Sequence, residues 1–366
     1  MWMLGKMTKS TPLPEGAVLG ILGGGQLGKM TAIAAAELGY RVHVFAPKGD
    51  APACDFAHAT TRADYDDHAA LKSFGEAIDA VTSEFENVPC DVMDILAAHV
   101  PVSPGRPALE TAQHRIAEKT LAKDIGMLTP HFAPISSAED LIAAMADMPN
   151  GAILKTCRLG YDGKGQVRLT QSDDLTAAFN SLNSDDCILE EMINFSAEAS
   201  FLVARDAQGE TRSFPASINH HEDGILARSI APADPQILSD DLLSDGQAKI
   251  ATLAEKLGLV GVLAMETFIT SQGLVFNEIA PRPHNSFHWT IEGTMTSQFS
   301  QLVRAVMGLP LGNTQAMGVW QMDNILGQHM AELEAALSAE GVFVHRYGKS
   351  AAKHGRKMAH LNRRLD

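Results

Sequence analysis

The chain has 366 residues, 45% of them hydrophobic and 20% charged, which is enough for two or three domains with ample cores. A formal net charge of -15 excludes non-specific binding to nucleic acid or to an anionic membrane as its main task, but not an anionic substrate held by local charge. The four cysteines, Cys54, Cys90, Cys157 and Cys187, show no Cys-x-x-Cys pair and no histidine at metal spacing, as expected of reduced thiols in a cytoplasm.

No apolar run reaches the ~18 residues of a membrane span, and the apolar part of MWMLGKMTKSTPLPEG is too short for a signal peptide. Residues 1–15 read as a loose lead-in. From Val18 the pattern is strand, glycine turn, alanine-rich helix ending at Gly39, then strand. Gly23, Gly25 and Gly28 match G-x-G-x-x-G, but a dinucleotide site also needs an acidic residue ending the second strand, and Val44-Phe45-Ala46-Pro47 offers none. The loop is either a site for some other phosphate or a structural tight turn. The stretch AVTSEFENV then predicts a strand running into Glu84 and Glu86, two carboxylates on one face where open α/β sheets bind ligands, or else two acids in a solvated loop. A short strand and the Pro-Gly turn of VPVSPG close this βαβ unit near residue 110.

Thr111 to Ile125 predicts a helix with Arg115 and Lys119 on one face, stopped by Gly126 and Pro130. Leu154 to Val167, LKTCRLGYDGKGQV, reads as two strands around a turn holding Gly160, Gly163 and Gly165, with Lys155 and Lys164 at either end. Backbone N–H groups unshielded by Cβ atoms, flanked by lysines, cradle phosphate; a glycine-rich hairpin with surface lysines has the same pattern. Asp186 to Arg205 predicts two strands joined by a short turn, bringing Glu190, Glu191 and Glu198 beside that loop. Such an acidic edge suits a nucleotide's ribose hydroxyls and adenine amino group, with the backbone from Glu190 through Met192 to Ile193 serving the base edge. His221 faces the same cleft or the solvent.

GVLAMETF and LVFNEIA predict a hairpin across a Ser-Gln-Gly turn. Each strand carries one glutamate in a buried pattern, Glu266 and Glu278, with Asn277 beside the second. Unpaired buried carboxylates on neighbouring strands require a cation, and oxygen-only ligands with open positions describe Mg²⁺. Two exposed acids on an edge hairpin are the alternative. Next, PRPHNSFHWT places Arg282, His284, Asn285, Ser286 and His288 on a proline-stiffened loop suited to an anionic substrate. After a helix over Ser297–Leu309 and another over His329–Glu340, the basic segment YGKSAAKHGRKM gathers Lys349, Arg356 and Lys357, for phosphate capture or as a solvated loop.

GGGQLGKM, TSEFENV, GYDGKGQ, EEMINFSAEAS, NEIAPRPHNS, TSQF and YGK together resemble the ATP-grasp superfamily, and within it the ATP-dependent N5-carboxyaminoimidazole ribonucleotide synthetases of purine biosynthesis. The resemblance runs from about Val18 almost to the C-terminus. It implies an α/β and α+β chain: an N-terminal βαβ, biotin-carboxylase-like domain over 16–110, an ATP-grasp domain over 111–312 with a lid at about 127–205, and a small C-terminal domain over 313–366. It implies ATP held by Arg115, Lys155, Gly160 to Gln166, Glu190 to Ile193, Glu198, His221, Asn277 and Glu278, and Mg²⁺ held by Glu266 and Glu278. Tyr161, Asp162, Lys164, Arg282, His284, Asn285, Ser286, Lys349 and Arg356, with Glu84, would serve aminoimidazole ribonucleotide and bicarbonate. Lys155, Tyr161, Asp162, Lys164 and Arg282 carry the chemistry in this reading, and Asp162 takes up a proton. A homodimer in the cytoplasm is implied as well. A formate-dependent glycinamide ribonucleotide transformylase is the rival within the superfamily, and a nicotinamide-dependent dehydrogenase the rival outside it.

Three positions depart from the family pattern: Lys29 for arginine, Ala359 for glycine and Phe287 for the glycine of PHNSGH. Because its polar neighbours persist, Phe287 is expected at negative φ with its ring turned away from the pocket.

Overall fold

The structure, a computed structural model, describes residues 11–160 and 165–366. It contains three sheets, each covered by its own helices. The first is parallel and five-stranded, in the order Ala59–Thr61, Arg41–Phe45, Val18–Leu22, Ala80–Ser83, Val102–Ser103. Its central strands are buried on both faces, which is why they read as unbroken apolar runs. The chain leaves the Val18–Leu22 strand toward one side and returns on the other, opening a crevice at the carboxyl ends.

The second sheet is antiparallel, in the order Phe132–Ile135, Cys187–Glu191, Ala152–Thr156, Gln166–Leu169. The helices Ala138–Met145 and Leu175–Leu182, N-capped by Ser137 and Asp174, pack on it through Leu141, Met145, Leu175 and Phe179. The third sheet has nine strands and is built around the long pairing of Ala197–Arg205 with Gly261–Thr270. The expected hairpin of Gly261–Thr270 with Gly273–Ala280 is present, with an irregularity between Glu266 and Thr267. The C-terminal strands Trp320–Leu326 and Lys357–Arg364 continue this sheet by way of Ile225–Ala231 instead of forming one of their own.

Three local expectations are corrected. Cys187–Glu191 and Ala197–Arg205 are not a hairpin: the first belongs to the four-stranded sheet and the second to the nine-stranded one, so the short segment between them crosses from sheet to sheet. Local alternation cannot distinguish the two cases, because both strands are buried by different partners. The helix expected from Thr111 is two, Arg106–Ala112 and Arg115–Asp124, broken at the extended residue His114. The last helix is shorter than its expected span, Met330–Ala336.

Candidate active site

A cleft of about 1190 Å³ opens where the three sheets meet. Gln26, Glu84 and Glu86 face it from the first, Lys155, Gly160 and Gln166 from the second, and Glu198, His221, Glu266, Asn277 and Glu278 from the third. Arg282, His284 and Asn285 close the side beyond the hairpin. Tyr161, Asp162, Gly163 and Lys164 lie outside the described residues. At the exit of that loop Gly165 has φ +69°, and a Cβ there would stand 2.9 Å from the Thr156 hydroxyl oxygen, so glycine is required for both reasons.

The cationic wall is held from beneath. Lys155 Nζ lies 2.8 Å from one Glu190 oxygen and Lys119 Nζ 3.3 Å from the other. Lys119, fully buried, also donates to the Asn277 carbonyl at 2.8 Å and so ties the four-stranded sheet to the hairpin. Burial alone would raise the Glu190 carboxyl, but the two ammonium groups outweigh it and hold it below the usual range. The Glu190 side chain is thus committed to two lysines. Beyond it the N–H groups of Glu191 and Met192 donate to the carbonyls of His131 and Gly151, at 2.9 and 3.1 Å. Glu191, Met192 and Ile193 lie outside the cleft lining.

On the opposite wall Glu266 and Glu278 are direct partners in the antiparallel register. Burial, reinforced by the charge of Glu278, pushes the Glu266 carboxyl up to about 7. Arg115 reaches Glu278 at 3.3 Å and the Gly160 carbonyl at 3.3 Å, bridging the two walls. Glu118, which the sequence reading missed, accepts the Ile279 N–H at 3.1 Å, and burial raises its carboxyl to about 8. Its signal was available, since a glutamate three residues after Arg115 shares the helix face already assigned to Arg115 and Lys119. His221 pairs with Glu198 beside a strand irregularity at His220/His221. Burial lowers its imidazole, but the Glu198 hydrogen bond and charge prevail and raise it.

The third wall is polar and partly unsatisfied. Arg282 forms a two-oxygen ion pair with Glu86, one contact at 3.1 Å; burial would raise Glu86, but the guanidinium dominates and lowers it. His284, with Nε2 3.4 Å from Glu266, is held neutral by burial and then by Arg282. Both side-chain polar atoms of Asn285 are buried without a hydrogen-bond partner, which marks an amide waiting for a ligand. Ser286 is corrected: it is fully buried behind the wall, its hydroxyl 3.2 Å from that of Ser200. Phe287 meets expectation. It is not among the positive-φ residues, its ring is fully buried, and it packs near Phe214 at 6.4 Å between ring centres.

Glu84 lines the cleft and is also engaged from behind. Its carboxylate accepts the N–H groups of Gly25 and, at 2.7 Å, Gly28 at the start of the Gln26–Glu37 helix. A Cβ at Gly25 would lie 2.8 Å from a Glu84 oxygen, and one at Gly28 3.1 Å, so the glycines make room for this side chain. The helix N-terminus that could bind phosphate holds an internal anion instead, which removes the dinucleotide reading. The basic cluster divides as well. Arg356 lies 2.7 Å from Asp50, Lys349 donates to the Lys357 carbonyl at 2.8 Å, and of the three only Lys357 lines the cleft.

Two sheets that present a lysine-arginine wall and a paired-glutamate wall to one cleft, behind a parallel α/β unit, define an ATP-grasp enzyme. Family models agree: a ribonucleotide synthetase preATP-grasp domain matches residues 17–113, an ATP-grasp domain 120–299 and a phosphoribosylaminoimidazole carboxylase C-terminal domain 321–365. The chain belongs to the N5-carboxyaminoimidazole ribonucleotide synthase family. It is 42% identical to the synthase of Brucella melitensis, covering 96% of this chain and 98% of that one. It is also 42% identical to the bifunctional purine synthesis protein purC/E of Dictyostelium discoideum, covering 95% of this chain but only 37% of that longer protein. Among solved structures, the ADP complex of an N5-carboxyaminoimidazole ribonucleotide synthetase superposes with a TM-score of 0.92 at 39% identity, covering 97% and 94% of the two chains. The Aspergillus clavatus synthase bound to ADP and 5-aminoimidazole ribonucleotide gives 0.88 at 27% identity, covering 96% and 94%.

Proposed function

We propose that the chain uses ATP and bicarbonate to carboxylate the exocyclic amine of 5-aminoimidazole ribonucleotide, forming N5-carboxyaminoimidazole ribonucleotide, ADP and phosphate. The observation that carries this reading is the opposition of Glu266 to Glu278 within one cleft that also holds Lys155, Arg115 and the unsatisfied Asn285. Two facing carboxylates, one raised toward neutrality, fit a divalent cation: Glu266 and Glu278 would hold Mg²⁺, which neutralises phosphate oxygens when bound.

Lys155 and Arg115 supply fixed positive charge to the polyphosphate, held in place by Glu190 and Gly160. Bicarbonate is a poor electrophile, so its oxygen first takes the γ-phosphoryl group, giving carboxyphosphate and ADP. The amine then attacks the carboxyl carbon, phosphate leaves, and the amine loses a proton, with Asp162 as acceptor. In this reading Arg282 and neutral His284 hold the bicarbonate-derived oxygens, and Asn285 offers both a donor and an acceptor to the ribonucleotide. Lys349 and Arg356 grip the substrate phosphate in this reading, for which Arg356 must leave Asp50. The domains are read as 16–110, 111–312 and 313–366, in a cytoplasmic homodimer by family resemblance. Among the described residues no helix is long and apolar enough to cross a membrane.

Phosphate release from ATP, measured with aminoimidazole ribonucleotide and bicarbonate each left out in turn, tests the proposal. Release that depends on both supports it. Release that needs formate in place of bicarbonate would transfer the chain to the glycinamide ribonucleotide transformylase reading.

A further inference from the structure

Among the described residues, and outside the cleft's acidic pair, one cluster of unlike metal-binding groups lies at the foot of the phosphate loop. His114 Nε2 stands 3.3 Å from an Asp186 oxygen, and one ligand atom each of His114, Cys157 and Asp186 lies within 4.8 Å of the other two. We propose that these three side chains form a second metal site, taking a borderline-soft divalent ion of the Zn²⁺ class, that clamps the base of the nucleotide pocket.

Metal-to-ligand lengths of about 2.0–2.3 Å place neighbouring tetrahedral ligands ~3.3–3.8 Å apart, so an ion would draw the widest pair in by about 1 Å. An imidazole nitrogen, a thiolate and one carboxylate suit Zn²⁺ and reject Mg²⁺, which wants oxygen alone. The site is therefore chemically separate from Glu266 and Glu278. Cys157 is buried and half-exposed Asp186 offers the way in, leaving a fourth position for water. The Nδ1 of His114 is buried without a hydrogen-bond partner, so its ring is oriented from the Nε2 side by Asp186. Arg158, 3.7 Å from the other Asp186 oxygen, is the local cation to be outcompeted.

The cluster also joins the segments that carry the nucleotide wall. The Cys157 N–H donates to the Asp186 carbonyl at 2.8 Å, and the Arg115 N–H to the Cys157 carbonyl at 3.0 Å. An ion here would link the helix start bearing Arg115, the strand bearing Lys155 and the segment leading into Glu190.

The test is a Zn²⁺ titration of the metal-free full chain against a chromophoric chelator, with excess Mg²⁺ present throughout. One Zn²⁺ should bind per chain with release of the Cys157 proton, and affinity should rise about tenfold per pH unit while that thiol is protonated. Cys157→Ser and His114→Ala should each weaken binding by about tenfold or more, and Glu266→Gln should leave it unchanged. Co²⁺ on the wild-type chain should give a thiolate charge-transfer band, a readout that does not depend on any variant folding. Absence of that band, wild-type Zn²⁺ affinity in both Cys157→Ser and His114→Ala, or loss confined to Glu266→Gln would each overturn the proposal.

Discussion

Two pairs of glutamates face the same cleft with different partners, although burial pushes the carboxyls of Glu84 and Glu266 up alike. Glu84 and Glu86, from the parallel unit, are supplied with counter-charge by the fold: helix N–H groups for one and Arg282 for the other. Glu266 and Glu278 are set against each other, with Arg115 3.3 Å from one and a neutral His284 3.4 Å from the other, and burial outweighs the more distant positive charges of His221 and Lys357 on Glu266. The first pair shapes the site; the second is left short of positive charge, which a ligand must bring. Carboxylates alike in sequence thus divide into structural and receptive ones according to what the fold places beside them.

The comparison is broken most strongly at Glu86. Replacing it with alanine leaves Arg282 unpaired in a largely buried position, and chemical denaturation should show a loss of about 3–5 kcal/mol. A loss well under 1 kcal/mol would mean that water already compensates the guanidinium. Glu266 should show the reverse. Burial and the charge of Glu278 push its folded carboxyl up to about 7 from the ordinary 4.5, so the folded state binds the extra proton and stability falls as pH rises between those values. The fall attributable to Glu266 should be about 3 kcal/mol without metal, should flatten with Mg²⁺, and should vanish in Glu266→Gln. Glu118, raised in the same direction, contributes its own slope, so the difference between wild type and variant is the quantity to measure.

Glu278→Gln keeps the shape and removes a charge. It should cost about 10–100-fold in apparent Mg²⁺ affinity, read from phosphate release against Mg²⁺ concentration, with melting unchanged. Wild-type Mg²⁺ dependence would sink the receptive role of this pair. The smallest effect is expected at Glu84, where glutamine retains one acceptor for the helix N–H groups and the charge it removes is one that burial already disfavours. Stability should drop by about 1 kcal/mol, with no change in ATP affinity. A large gain in phosphate binding by that variant would show the glycine loop to be a suppressed anion site.

The sequence by itself determined the elements of the hairpin and the two glutamates that interrupt them. Apolar runs interrupted by single glutamates, a Ser-Gln-Gly turn and a proline-stiffened polar loop are local patterns, and local patterns survive folding. Phe287 was legible for the same reason: its neighbours kept their roles, so the ring had to leave the pocket. Tertiary structure alone decided which charges meet. Glu84 against Gly25 and Gly28, Glu190 against Lys119 and Lys155, Arg356 against Asp50, and His114 against Asp186 are pairings across long stretches of chain. Nothing in a residue's own neighbourhood records them, because a charge's partner is set by which strands become neighbours and not by spacing along the sequence. The crossing between Glu191 and Ala197 has the same origin: strand pattern specifies a buried face, and only packing chooses the sheet that buries it.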